Sequence, residues 1–303
     1  MLKAAVETYL AVRRAAGFQL TPVATYLHSF ARFATERGQT YVTTPTVIEW
    51  ATTTASEAQR HTRLMAVRRF AHFMHAEDPR HEIPPDTLFC GRRQRPRPYI
   101  FTAADLQDIM DYAHRLGPPG SLRPHTYRTL FGLLAATGMR PSEARALQLH
   151  DLTQDGLIIR ESKFKKSRLL PLHDTTWAAL ERYLDRRRQV AGCAPHLFVS
   201  HRGSPLSHTV VADTFHAVVT AAGLPREPGR ACPTLMDLRH TFAVRGLTTC
   251  PDRRDQVGRH MLALTTYMGH AKVASTYWYL ESTPELLTDI AQRCEAFIAG
   301  GGQ

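Results

Sequence analysis

Gly156-Leu-Ile-Ile-Arg-Glu-Ser-Lys-Phe-Lys-Lys-Ser-Arg-Leu-Leu-Pro-Leu172 is the stretch on which the reading of the fold turns. Leu157 to Ile159 and Arg168 to Leu172 are short apolar runs around the polar segment Glu161 to Ser167, which predicts a β-hairpin with a basic tip. Outward from it the spacing is helical. Asp174 to Gly192 predicts a helix with Trp177, Leu180 and Leu184 on one face. Upstream, Thr102 reads as an N-cap, with Asp105 three residues on and Leu106, Ile109 and Met110 turned inward. The fold class is therefore mainly α, with a small β-hairpin or sheet in a mixed second domain spanning 100–303.

Before that domain, Cys90 to Ile100 contains Gly-Arg-Arg-Gln-Arg-Pro-Arg-Pro-Tyr, whose two prolines and glycine break helix and sheet ladders alike. Residues 91–99 are thus expected to be a basic linker, with residues 1–90 a helical first domain. Arg92, Arg93, Arg95 and Arg97 on an extended linker could lie along a DNA backbone or serve only to solubilise it. In the first domain, Thr21-Pro22 and Gly38 bracket a helix with Val23, Tyr26, Leu27, Phe30 and Ala34 on one side. A second helix is expected over 61–76, where Leu64, Val67, Ala71 and Met74 form a packing face. Arg63, Arg68 and Arg69, interspersed there, could meet phosphate or form a solvated basic face.

Lys plus Arg number 38 against 27 Asp plus Glu, a net charge of +11, which points to a polyanionic partner. No stretch approaches the roughly 20 apolar residues of a spanning helix, so a membrane partner is not expected. Acidic and polar residues come too early for a secretory leader, and the five widely spaced cysteines contain no Cys-x-x-Cys pair. A cytoplasmic, nucleoid-associated protein with reduced thiols is the expectation.

The chemistry lies in three segments: Thr-Gly-Met-Arg-Pro-Ser-Glu (137–143), Asp-Leu-Arg-His-Thr-Phe-Ala (237–243), and Gly-His-Ala-Lys-Val-Ala-Ser-Thr-Tyr-Trp-Tyr (269–279). A phenol nucleophile, two distant arginines, a lysine and a histidine are what breaking a phosphodiester without a metal would need, because a phosphorane-like transition state must be held by fixed positive charge. No Gly-x-x-x-x-Gly-Lys loop and no acidic cluster with metal-ligand spacing stands beside them.

Over most of 100–290 the chain resembles the catalytic domain of the tyrosine recombinase family, also called phage integrases. The resemblance implies that Arg140 binds the scissile phosphate with Glu143 in support, and that His270 donates a hydrogen bond to a non-bridging oxygen. It places the hairpin lysine that protonates the leaving 5′-oxygen at Lys163, with Lys165 and Lys166 as competitors, and the nucleophile at Tyr279, with Tyr277 as a decoy two residues earlier. It further implies a 3′-phosphotyrosyl intermediate without metal or ATP, a helical core-binding domain in residues 1–90, and a two-domain C-shaped clamp on double-stranded DNA. Strand exchange in the family implies four protomers on two duplexes, and related recombinases are possible partners. The strings quoted are similar to recombinases encoded by mobile elements, with transposition or integration as the expected setting.

In one place the chain departs from the family pattern. The second box is usually His-x-x-Arg; here it reads Met236-Asp237-Leu238-Arg239, so Arg239 matches and Met236 stands in the histidine's place. A thioether cannot move a proton. His240 is an available substitute, although adjacent helical residues point about 100° apart, and Asp237 is a further candidate for support. Two alternatives follow: a DNA-binding subunit of attenuated catalysis acting structurally beside active partners, and a type IB topoisomerase-like relaxation activity. Leu286, Ile290, Phe297 and Ile298 suggest a terminal helix within 283–298, docking on a neighbouring protomer or on its own domain.

Overall fold

The computed structural model describes residues 2–89, 98–160, 167–192, 194–225, 231–249 and 254–269. The chain divides into two compact units, Met1–Pro96 and Arg97–Gln303.

The first unit consists of α1 (Leu2–Ala15), α2 (Thr21–Glu36), α3 (Thr44–Thr52) and α4 (Glu57–Glu77), followed by a single 3₁₀ turn at Asp86–Leu88. Leu27, Phe30 and Ala34 of α2 and Leu64, Val67, Ala71 and Met74 of α4 are buried, as their spacing predicts, while Val23 and Tyr26 flank the core. Trp50 of α3 closes it, edge-on to Phe30 at 5.4 Å between ring centroids. Thr21, one of the two brackets read from the sequence, is the first residue of α2, preceded by Leu20 in a left-handed conformation. One boundary differs from the sequence reading: α4 starts at Glu57, four residues before the expected 61, with Glu57 in the first turn, where the helix dipole favours an acid.

The second unit opens with α5 (Ala103–His114), α6 (Arg123–Thr137) and α7 (Pro141–Ala146). The reciprocal cap expected at α5 forms: Asp105 N–H donates to Thr102 Oγ1 at 3.1 Å and Thr102 N–H to Asp105 Oδ2 at 2.9 Å. Next comes an antiparallel sheet of β1 (Leu152–Thr153), β2 (Gly156–Ile159) and β3 (Arg168–Leu170), in that order. The register pairs Leu157 with Leu170 and Ile159 with Arg168, so the anticipated hairpin is β2–β3, widened by the two-residue strand β1. Helices α8 (Asp174–Ala191), α9 (His208–Ala221), α10 (Leu235–Thr248) and α11 (Arg254–Met268) follow. The core runs from Phe101 and Ile109 through Leu130, Phe131 and Leu134 of α6 to Leu180 of α8, Phe215 of α9 and Leu238 of α10. A smaller cluster of Val244, Leu247, Leu264 and Met268 joins α10 to α11. α6 runs through the middle of this packing, so what lies at its C-terminal end is fixed by several elements at once. The fold is mainly α with a small antiparallel sheet, as the sequence implies.

Candidate active site

α6 stops at Gly138, which takes φ +59°, a left-handed value glycine adopts without strain, and a Cβ there would run into the Phe242 ring. The stop places Arg140 at the start of α7, where Pro141 has the fixed φ suited to the first helical position. Glu143, three residues on, accepts from the Arg140 backbone N–H at 2.9 Å and from its Nη1 at 2.6 Å. The segment 137–143 is thus a helix stop, a helix start and a carboxylate that aims the arginine.

A second guanidinium reaches the same carboxylate from β3. Arg168 donates Nη2 to Glu143 Oε2 at 2.7 Å and Nη1 to Oε1 at 3.1 Å, a two-pronged pair in which both side chains are largely buried. Burial is the largest single influence on Glu143 and would push its pKa up. The hydrogen bonds and charges of Arg168 and Arg140 together outweigh it and hold the carboxyl below its ordinary 4.5. Glu143 is therefore a carboxylate at neutral pH, fixed between two cations.

Arg239 sits in the first half of α10, only 3% exposed. The start of that helix is tied down by Asp237, whose Oδ2 accepts from Thr234 N–H and Oγ1 at 2.7 Å each, while Oδ1 accepts from Tyr99 N–H at 3.1 Å. Asp237 thus anchors the beginning of the unit to α10. Arg239 donates Nη1 to the Gly138 carbonyl at 2.6 Å and Nη2 to the Met268 carbonyl at 2.8 Å.

These bonds converge on the end of α11. Arg168 Nε donates to the Tyr267 carbonyl at 2.9 Å, Arg239 to Met268, and Arg140 Nη2 to the Gly269 carbonyl at 3.0 Å. Three successive carbonyls, which a helix end leaves without intrahelical partners, each receive one guanidinium from a different element, at the negative end of the helix dipole. Gly269 turns the chain with φ +66°, and a Cβ there would stand 2.7 Å from Arg168 Nη1, so the glycine before His270 is required by the arginine beneath it.

Met236 is 41% exposed, its thioether facing solvent one turn before Arg239, and His240 is half-buried. Lys163, Lys165, Lys166, His270, Tyr277 and Tyr279 lie outside the described residues, as do Arg92, Arg93, Arg95, Arg97 and the segment 283–298. In the first unit Arg63 donates to the Trp50 carbonyl and Thr53 Oγ1, and Arg68 Nε to the Pro84 carbonyl, while Arg69 is exposed. Among the described residues no group of three or more His, Cys, Asp or Glu is placed to hold a metal ion, and no helix is long and apolar enough to cross a membrane.

The residue that sequence reasoning passed over is Arg168. Its signal was present: Arg168 and Leu170 share a strand face two residues apart, and Leu170 is fully buried. A charge on that face needs a carboxylate partner.

A helical unit built on a small antiparallel sheet, with arginines gathered at one helix end, defines a class that the comparisons identify. The phage integrase family model matches residues 100–285, more than half of the chain, and the chain belongs to that family, the tyrosine recombinases. The protein y4rB of Sinorhizobium fredii, named as an integrase/recombinase, is 38% identical over 301 residues, covering 96% of each chain. The tyrosine recombinase XerD of Rhizobium meliloti is 30% identical over 239 residues, 76% of this chain and 72% of the other. Among solved structures, the Tn1549 transposon integrase in complex with transposon right end DNA superposes with a TM-score of 0.66 over 95% of this chain and 98% of that one. At 17% identity that likeness is one of fold.

Proposed function

We propose that this chain is a site-specific DNA recombinase that cuts and rejoins duplex DNA through Tyr279. The observation that carries the reading is the set of guanidinium groups of Arg140, Arg168 and Arg239 on the last carbonyls of α11, immediately before His270 and ten residues before Tyr279. In this reading the Tyr279 oxygen attacks the scissile phosphorus, the P–O bond to the 5′-oxygen breaks, and Lys163 gives that oxygen its proton. The product is a 3′-phosphotyrosyl link, and a 5′-hydroxyl from a second strand reverses the step. Arg140, Arg239 and His270 hold the two non-bridging oxygens, and because Glu143 and the α11 carbonyls already fix Arg140 and Arg239, little reorganisation is left for the transition state. Arg168 touches no substrate in this scheme; it positions Glu143 and the turn before His270. Removing the charge of Arg140 or Arg239 should cost on the order of 3 kcal/mol in the cleavage barrier, with binding less affected.

The partner is double-stranded DNA, with residues 1–90 as core-binding domain, Arg69 and the linker arginines on its phosphates, and four protomers on two duplexes during exchange. The protein would act in the cytoplasm, on the nucleoid. A second reading rests on Met236. With its side chain exposed above Arg239, no proton carrier occupies the place of the motif histidine, so the natural protein would be an attenuated subunit beside active partners.

The test is to express the chain with its native DNA, denature rapidly and sequence any DNA that stays covalently attached, with Tyr279→Phe and Tyr277→Phe in parallel. Adducts lost only in Tyr279→Phe are expected. Tight DNA binding without adducts, even on nicked substrates that trap the intermediate, would overturn the catalytic reading. Met236→His separates the two: a sharp rise in cleavage marks the natural protein as attenuated, whereas no change means that another group does the histidine's work.

A further inference from the structure

In the unit Arg97–Gln303 a cavity of about 490 Å³ opens between α5, α6 and α8, lined by none of the residues assigned above. Its origin lies in Asp185-Arg186-Arg187-Arg188 on α8, where three consecutive arginines face three directions. Arg187 is buried and donates to the carbonyls of Ala194, His196 and Leu197, closing the loop after α8. Arg188 pairs with Asp185 at 2.7 Å. Arg186 lines the cavity, joined by Arg182 one turn earlier and by Arg128 from α6. Among the described residues none of these three has a carboxylate or carbonyl partner, and no Asp or Glu lines the cavity.

Two imidazoles stand beside the arginines: His114 and His125 meet edge to face at 5.4 Å between ring centroids. Burial chiefly, and then the charges of Arg186, His114 and Arg128, push the His125 pKa below its ordinary 6.5, which places the positive field of the arginines at the ring. The remaining wall is mixed, with Met110, Leu133 and Leu180 beside the Tyr183 ring and the hydroxyl-bearing Thr129, Thr175 and Thr176. Like charges gathered around a concave space with no counter-charge repel one another, and a bound anion removes that cost while the low-dielectric walls focus the attraction. The volume falls within the roughly 300–1,000 Å³ of small-molecule sites, which likewise combine apolar walls with a few convergent polar groups.

We propose that this cavity binds a phosphorylated ligand of mononucleotide size, its phosphate against Arg128, Arg182 and Arg186 and its ring over Met110, Leu133 and Leu180. The phosphate has two sources, a free nucleotide or the backbone of bound DNA, and they are separable. A bound anion favours the charged imidazole, so binding takes up protons and tightens as pH falls through the histidine range. The groups facing His125 are His114 of α5, Arg128 of α6, and Arg182 and Arg186 of α8.

The experiment is calorimetry on the full chain with pyrophosphate and with adenosine monophosphate in buffers of different ionisation enthalpy, alongside titration of a short duplex at several salt concentrations. Wild type is compared with Arg128→Gln and Arg186→Gln. All three cavity arginines are exposed, so an unchanged melting midpoint is expected and checks that the variants fold. Free-nucleotide binding is established if both probes bind with proton uptake and each substitution weakens them by about tenfold, the worth of one charge-assisted contact. If neither probe binds, but the substitutions weaken duplex binding and lower its salt slope by about one each, the phosphate is that of DNA. Absence of both effects overturns the proposal. Covalent adduct formation is read separately and requires none of the three arginines, so this inference and the recombinase reading fail by different measurements.

Discussion

The second unit holds two gatherings of arginine that differ in one respect. Around the end of α11, Arg140, Arg168 and Arg239 are tied to Glu143 and to successive carbonyls. Around the cavity of α8, Arg128, Arg182 and Arg186 carry the same charge with no such ties among the described residues. The first set is oriented in advance by the protein, which spares reorganisation when charge develops nearby. The second keeps its rotamer freedom and its hydration, so a ligand must order it on arrival. Net charge distinguishes neither; what separates them is the carboxylate and the helix end supplied to one and withheld from the other.

The comparison breaks most visibly at Glu143. Glu143→Ala leaves two largely buried guanidinium groups without their carboxylate and should destabilise the chain by about 3–5 kcal/mol, the range for breaking a buried pair; urea denaturation of the full chain measures it. Arg168→Lys keeps the charge but cannot make the two-pronged contact and the bond to Tyr267 together. A loss of about 2 kcal/mol is expected, and covalent adduct yield should fall while duplex affinity, read by fluorescence anisotropy, holds.

A gentler perturbation is acid. Because the folded Glu143 pKa lies below its ordinary value, the stability it contributes is fully present above the ordinary 4.5 and is lost as pH falls through the folded value. Wild type should therefore lose stability below that pH more steeply than Glu143→Gln, a difference visible in melting midpoints across an acid series. At the other extreme, Arg186→Gln should shift unfolding by no more than about 0.5 kcal/mol in either direction, as expected for an exposed side chain with nothing to hold.

Much of the architecture was legible because it rests on local rules. The Thr102–Asp105 cap, the Leu64–Met74 stripe and the β2–β3 hairpin follow from spacing and punctuation within a dozen or so residues. The motifs singled out Arg140 and Arg239 as candidates. What the motifs could not convey is where those arginines are anchored, since Arg140 reaches Gly269 across 129 positions and Arg239 reaches Gly138 across 101. Arg63 and Arg68 looked like candidates for phosphate from composition, yet both bind the backbone of their own unit. An arginine's stem packs like an aliphatic chain and its five donors accept any nearby carbonyl, so charge patterning alone does not separate a phosphate clamp from an internal brace.

The turn at Gly269 is held by strands of chain that meet only when the whole unit is assembled. Contacts spanning a hundred or more positions must repay the entropy of loop closure before they stabilise anything. A chain ending before Tyr267 would keep Arg140 and Arg239 in its sequence without the carbonyls of Met268 and Gly269 that orient them. In a tyrosine recombinase, that ties the orientation of these arginines to completeness of folding.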